Sequence, residues 1–258
     1  MGEVLRRAAN EAVLPRFCSL APHEVDEKSP GELVTIADRE AERIIASGLK
    51  ELCPHARIVG EEACAHHPQL LNRIGDGDVW VIDPIDGTGN YAAGRQPFAI
   101  MAALLREGEP IASAILNPAA GELLIAERGN GAWINGQRIR TASTSQTAAS
   151  LTGIVSDFEK PEAMKGNVEK LASQIAQTVP TQRCAGAEYP IIMRGTHDFA
   201  LYWRTLVWDH APGVLILEES GGKVARLDGS SFRAGENGHG LLLAHTPEIW
   251  DQVAAILN

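Results

Sequence analysis

Apolar residues recur along this chain in two rhythms. Over residues 36–52 they fall at Ile36, Ala41, Ile44, Ile45, Leu49 and Leu52, the spacing that lays one stripe along one face of a helix. Similar patterns predict helices over 8–20, 162–177, 188–195, from about Asp209 onward, and over 247–257. Between them lie short apolar runs, with β-branched residues at 58–59 and 79–82, and further runs at 98–104, 110–116, 122–127, 132–134, 152–155, 223–226 and 241–244. These predict strands. Glycine-bearing turns separate the strands between 110 and 134, and Asn135-Gly136 is a hairpin dipeptide, so that stretch reads as an antiparallel meander. Residues 142–150 are rich in Ser, Thr and Ala. They mark the candidate boundary between an α+β half over 1–145 and an α/β half over 146–258.

The 258 residues are long enough to build a core without disulfide or metal staples. A 45% apolar and 22% charged composition fits a folded globular chain. No apolar run approaches the roughly 18 residues of a membrane helix. The first residues alternate charge with apolar side chains, unlike a signal peptide, so a cytoplasmic protein is expected. Basic residues number 23 against 33 acidic ones, a net charge of −10. That balance argues against nucleic-acid binding through phosphate neutralisation, while a small anionic substrate needs only a local cation. Cys18, Cys53, Cys64 and Cys184 form no C-x-x-C pair, which predicts reduced thiols rather than a zinc ribbon or a disulfide framework.

The informative polar residues are acids at strand exits. Asp83 follows the run at 79–82, and Asp86 comes three residues later across Pro84. Proline fixes its own φ and biases the preceding residue toward extended backbone, so a tight turn there can aim both carboxylates at one point. Two such charges repel unless a cation intervenes, and oxygen-only clusters suit hard ions such as magnesium. Alone, D-P-x-D-G is more often just a turn. Glu61-Glu62 leaves the strand at 57–59 through Gly60, and alone such a pair is usually a solvated turn. Asp209 stands near a helix start, where Asp is a preferred cap and where a phosphate is also favoured. Gly87, Gly89 and Gly94 do not form G-x-G-x-x-G, and Gly221-Gly222-Lys223 lacks the upstream glycine of a phosphate-binding loop. Cys64, His66 and His67 read as a solvated loop, His210 as a helix-start residue, and Trp133 and Trp203 as core or interface.

Four segments, taken in order, resemble the inositol monophosphatase family: K-S-P-G-E-L-V-T-I-A-D at 28–38, V-G-E-E at 59–62, W-V-I-D-P-I-D-G-T at 80–88 and W-D-H-A-P-G at 208–213. The resemblance spans residues 28–222 and implies a layered αβαβα sandwich of mixed α/β class, often a homodimer. It implies a magnesium-dependent, lithium-sensitive phosphatase that uses two or three ions and metal-activated water. Glu61, Asp83 and the carbonyl of Ile85 then resemble ligands of the first ion, and Asp83, Asp86 and Asp209 ligands of the second. Thr88 and Asp38 resemble the pair that relays a proton, with Glu61 helping to orient the water. The N–H groups of Gly87 and Thr88 would cradle the phosphate, and 28–38 corresponds to the family's mobile loop.

The alcohol-binding surface departs from the family. Cys184-Ala185-Gly186-Ala187-Glu188 stands where Gly-Thr-Ala or Gly-Ser-Ala is usual, and Gly89 where Thr or Arg is usual. Seven residues before Asp209, where inositol-processing members hold a glutamate, this chain has Tyr202, followed by Trp203 and Arg204. The resemblance therefore implies a substrate site built from Ile85, Asp86, Gly87, Thr88, Gly186, Ala187, Tyr202 and Asp209. Inositol 1-phosphate or a related polyol phosphate is the leading substrate. Histidinol phosphate, fructose 1,6-bisphosphate and 3′-phosphoadenosine 5′-phosphate are the alternatives. The alternative class is a regulatory protein binding RNA or transcription machinery, as some bacterial relatives do.

Overall fold

The computed structural model describes residues 1–142, 146–236, 238 and 240–258. Helix α1 (Gly2–Ala8) continues through a π-helical stretch at Ala9–Val13 and a 3₁₀ turn at Leu14–Arg16. It starts before the predicted residue 8 because the stripe it buries is Leu5, Ala8, Ala9, Ala12 and Val13. It stops short of residue 20 because Phe17 turns extended and Cys18 adopts a left-handed φ of 62°. A hairpin of β1 (Val25–Ser29) and β2 (Glu32–Thr35) follows. Helix α2 (Ile36–Leu52) has the predicted bounds. Thr35 caps it by accepting the Ala37 N–H, while Asp38 reaches back to accept the Thr35 N–H.

The larger sheet has seven strands in the order β3 (Arg57–Gly60), β4 (Asp78–Asp86), β5 (Ala99–Arg106), β6 (Glu109–Asn117), β7 (Glu122–Glu127), β8 (Gly131–Ile134) and β9 (Gln137–Ile139). Only β3 and β4 run parallel; the rest form the expected meander. Helix α3 (Glu61–His66) leaves β3, and α4 (Thr88–Ala92) leaves β4. Glu61-Glu62 thus opens a helix rather than a solvated turn, and Cys64 on it is buried.

The second sheet has the order β11 (Gln177–Val179), β10 (Thr152–Val155), β12 (Phe199–Tyr202), β14 (Leu241–Ala244) and β13 (Lys223–Arg226). Its helices are α5 (Lys165–Gln174), α6 (Ala185–Met193), α7 (Val207–Ser220) and α8 (Pro247–Leu257). Helix α5 is shorter than the predicted 162–177 because a 3₁₀ turn at Glu162–Met164 precedes it and β11 claims Gln177. Part of the expected boundary, residues 143–145, lies outside the described residues.

The layers follow from the two-residue alternation of strand side chains. Trp80 and Ile82 of β4 point to one face and pack with Leu5 and Ile45 of the first two helices. Val79 and Val81 point to the other and pack with Tyr189 and Ile192 of α6 and Val214 and Leu217 of α7. Ile154, Ala200 and Leu243 cover that middle helical layer from the second sheet. Phe199, Leu201 and Leu242 face outward onto Leu171 of α5 and Trp250 and Val253 of α8. The result is the expected αβαβα sandwich. Sandwiched between sheets, α7 is apolar nearly all round. Among the described residues no helix is long and apolar enough to cross a membrane.

The middle layer leaves no room at Gly213, where an added Cβ would stand 2.2 Å from the Tyr189 ring. Gly213→Ala is therefore expected to destabilise the protein by about 1–3 kcal/mol through overpacking. Thermal unfolding beside the unaltered chain checks this, and an unchanged Tm would contradict it.

Candidate active site

β4 runs beyond the predicted 79–82, through Asp83-Pro84-Ile85-Asp86, and its register against β5 shifts between Asp83 and Asp86. Pro84, with no N–H to give a ladder, suits such a bulge. The bulge has a chemical consequence. In an unbroken strand, residues three apart lie on opposite faces. Here Ile85 joins Trp80 and Ile82 in the α1–α2 core, which turns Asp86 to the same side as Asp83. Asp86 Oδ2 there accepts the Gly186 N–H of α6 at 2.6 Å. Gly186 is required for this approach, because a Cβ would stand 2.6 Å from Ala99 Cβ and 2.7 Å from Met101 Sδ.

Glu61 begins α3 and Asp209 is the third residue of α7, in the first turn near the expected helix start, while the cap itself is Leu206. These acids sense one another. Burial, then the charges of Glu61, Asp86, Asp209 and Asp38, push the Asp83 carboxyl well above its ordinary value. Burial likewise raises Asp86 to about 7, with Glu188 and Glu61 adding to it. Asp209 is pushed well above its ordinary value by burial and then by Asp86 and Glu61. Asp83 Oδ1 is buried with no hydrogen-bond donor among the described residues. A buried, orphaned carboxylate oxygen beside three further carboxylates is costly unless a cation joins it. The donors that feel one another here are all hard carboxylate oxygens, the kind that suits a divalent ion of the magnesium type.

The predicted proton pair also meets. Thr88 Oγ1 lies 3.1 Å from Asp38 Oδ1 and 2.8 Å from the Ile85 carbonyl oxygen, both acceptors for its hydroxyl. Burial raises the Asp38 carboxyl to about 7, against the hydrogen bonds from Thr35. Gly87 adopts φ 83°, and a Cβ there would crowd Pro97 O and Cys184 Cβ at 3.1 and 3.2 Å. Glycine is thus the residue this turn admits before α4.

Three features escape the sequence reading. Glu42, one turn beyond Asp38 on α2, accepts the N–H groups of Glu62 and Ala63 at 2.8 and 2.9 Å and so anchors the start of α3. Its spacing of four from Asp38 is the signal that could have found it. Lys28 on β1 donates to Glu61 at 2.7 Å and Glu62 at 2.8 Å. Burial opposes its charge, yet Glu61 and Glu62 hold the ammonium above its usual range. With the Arg204–Glu32 ion pair, it latches the hairpin over the acids. The third is Glu188, an acid in an apolar stretch of α6, which accepts from Tyr202 Oη, Thr181 Oγ1 and the Gln182 N–H.

Tyr202, predicted to meet substrate hydroxyls, is buried with its own hydroxyl given to Glu188. Ala187 is partly buried beside it on α6. Trp203 is core, its indole N–H donating to Ser156 O at 2.8 Å. His210 is buried between Tyr189 Oη and the Arg204 carbonyl oxygen, and burial lowers it to about 3. It stays neutral and structural.

Residues 2–257 match the model of the inositol monophosphatase family. An inositol-1-monophosphatase of Rhizobium meliloti is 32% identical over 220 residues, covering 83% of this chain and 79% of the relative. The Nus factor SuhB of Pseudomonas aeruginosa is 30% identical over 230 residues, covering 87% of this chain and 83% of the relative. Among solved structures, an IMPase of Thermotoga maritima superposes with a TM-score of 0.79 at 28% identity, over 99% of this chain and 94% of the other.

Proposed function

The chain belongs to the inositol monophosphatase family, whose members hydrolyse phosphomonoesters, and we propose that it is a cytoplasmic, magnesium-dependent, lithium-sensitive phosphatase acting on a small polyol or sugar phosphate, inositol 1-phosphate first. The observation that carries this reading is the orphaned Asp83 oxygen among Glu61, Asp86 and Asp209.

Glu61, Asp83, Asp86, Asp209 and the Ile85 carbonyl would hold two or three magnesium ions. Bound there, magnesium supplies Lewis acidity and neutralises charge spread over the phosphoryl oxygens. The chain's own residues supply the remainder. Thr88 takes a proton from the attacking water and passes its hydroxyl proton to Asp38, which lies within hydrogen-bond reach. Gly87 and Thr88 offer backbone N–H groups to the phosphate. Gly186 and Ala187 at the start of α6 border the leaving alcohol. With the Tyr202 hydroxyl committed to Glu188, position 202 offers that alcohol no carboxylate. A homodimer completes the proposal.

The test is magnesium-dependent phosphate release from inositol 1-phosphate, histidinol phosphate, fructose 1,6-bisphosphate and 3′-phosphoadenosine 5′-phosphate. Preference for the inositol ester, inhibited by lithium, supports the reading. Preference for another ester relocates the substrate and keeps the chemistry. Silence across the panel favours a regulatory role of the kind named for SuhB relatives, against which a net charge of −10 weighs.

A further inference from the structure

At the opposite end of β4 from the acids, three side chains of different chemistry meet. Cys53 closes α2, His55 lies in the turn before β3, and Asp78 opens β4. His55 Nε2 is 3.4 Å from Cys53 Sγ and 3.0 Å from Asp78 Oδ2, and one ligand atom from each of the three fits within 4.8 Å. The parallel pairing of β3 and β4, Arg57 beside Val79, creates this juxtaposition from residues 23 apart. Along β4 the five steps from Asp78 to Asp83 span about 16 Å at roughly 3.3 Å per residue. No single ion serves both ends.

The spacing suits a small tetrahedral ion. Zinc with a sulfur at about 2.3 Å and nitrogen or oxygen at about 2.0–2.1 Å has S···N edges of about 3.5 Å and N···O edges of about 3.3 Å. The two His55 contacts differ from these by a few tenths of an ångström, and the third edge, between Cys53 and Asp78, lies within 4.8 Å. Asp78 is oriented from behind. Arg106, its partner across the β4–β5 ladder, donates to both carboxylate oxygens at 2.9 and 3.0 Å. That guanidinium, and after it His55, holds the carboxyl down at about 2. Such outer partners fix a ligand's plane, while the arginine's charge also tempers the affinity. The His55 side chain is 72% exposed and Cys53 is a free, half-buried thiol, so an ion can enter from solvent.

We propose that Cys53, His55 and Asp78 form a second metal site that takes a borderline-soft divalent cation, zinc foremost, with water in the fourth position. Thiolate and imidazole select such ions, whereas oxygen-only ligands select magnesium. The two ends of β4 therefore sort metals by softness. Occupancy joins the C-terminus of α2 to the start of β4 and stabilises the folded chain by mass action. The Cys-Pro-His spacing lies outside the C-x-x-C pattern by which sequence scans find zinc.

Cobalt(II) is the probe, added to the full chain and to its Cys53→Ser, His55→Ala and Asp209→Asn variants. The expected result is a thiolate-to-cobalt charge-transfer band that zinc displaces. Cys53→Ser and His55→Ala should abolish it and weaken zinc binding by about 100-fold or more, beyond the 10–100-fold typical of outer-shell partners. Asp209→Asn should leave it intact. Cys184, whose Sγ lies 3.6 Å from the Asp86 carbonyl oxygen, is the thiol that an ion among the acids would meet, and the Asp209 variant separates that case. Zinc at a hundred times its Kd should raise Tm by about 5 °C, an effect lost in Cys53→Ser. The absence of a band, or a band that survives Cys53→Ser, overturns the proposal. Equal metal-free Tm values for the Cys53 and His55 variants and the unaltered chain verify that both fold.

Discussion

Asp83→Asn is expected to reduce magnesium-dependent phosphate release by on the order of 10²–10³-fold or more, while making the metal-free protein more stable. The first effect follows from the position of Asp83, which has a buried oxygen without a hydrogen-bond donor and feels the charges of Glu61, Asp86 and Asp209. Removing one preorganised electrostatic contact to phosphoryl transfer costs about that much. The second effect has the opposite sign from most core substitutions. Without metal, Asp83 is a buried acid crowded by like charges, and an amide of nearly the same shape removes the repulsion. Turnover and Tm should be measured with and without magnesium. Full turnover sinks the site assignment. A lower metal-free Tm, with the magnesium-induced rise intact, would make Asp83 a structural residue only.

The acids were legible because each sits where a strongly patterned element ends. Asp83 and Asp86 follow the run at 79–82, Glu61 follows β3, and Asp209 opens the apolar stretch of α7. Hydrophobic pattern locates such exits well. It does not show the bulge, although Pro84 hints at it, and the bulge is what turns Asp86 to the face of Asp83. β12 stayed hidden because Phe199–Tyr202 carries no β-branched residue and no alternation, and it runs into Trp203-Arg204 without a glycine or proline to mark its end. The hairpin of β1 and β2 stayed hidden because β1 is Val-Asp-Glu-Lys-Ser, a mostly polar run with only Val25 and Lys28 partly buried. Counting back seven residues from Asp209 finds Tyr202, yet only the fold reveals that Glu188, from another helix, has claimed its hydroxyl. Pairings set by tertiary approach, such as Glu42 with α3, leave at most a spacing in the sequence.

The same crowding of acids makes stability depend on pH in an unusual direction. Asp38, Glu42 and Asp86 each titrate near 7 in the metal-free fold, chiefly through burial, against ordinary values of 3.8 and 4.5. Between about pH 4 and 7 the folded chain therefore holds more protons than the unfolded one, and stability falls as pH rises. At pH 5.5 each of these groups contributes about 2 kcal/mol relative to pH 8, from roughly 1.36 kcal/mol per pH unit. His210 works against them. Its folded value of about 3 lies below the ordinary 6.5, so its neutral burial stabilises above pH 6.5 and costs roughly 1 kcal/mol by pH 5.5. Three carboxyls outweigh one imidazole. Metal-free Tm should rise by several degrees from pH 8 to pH 5.5. Magnesium should reverse this, since it binds the ionised carboxylates and its stabilisation grows as protons leave. Differential scanning at pH 5.5, 6.5 and 8, with chelator or with magnesium, separates the two slopes. A metal-free Tm that climbs with pH across this range would mean that the acids are already neutralised by something other than a bound cation.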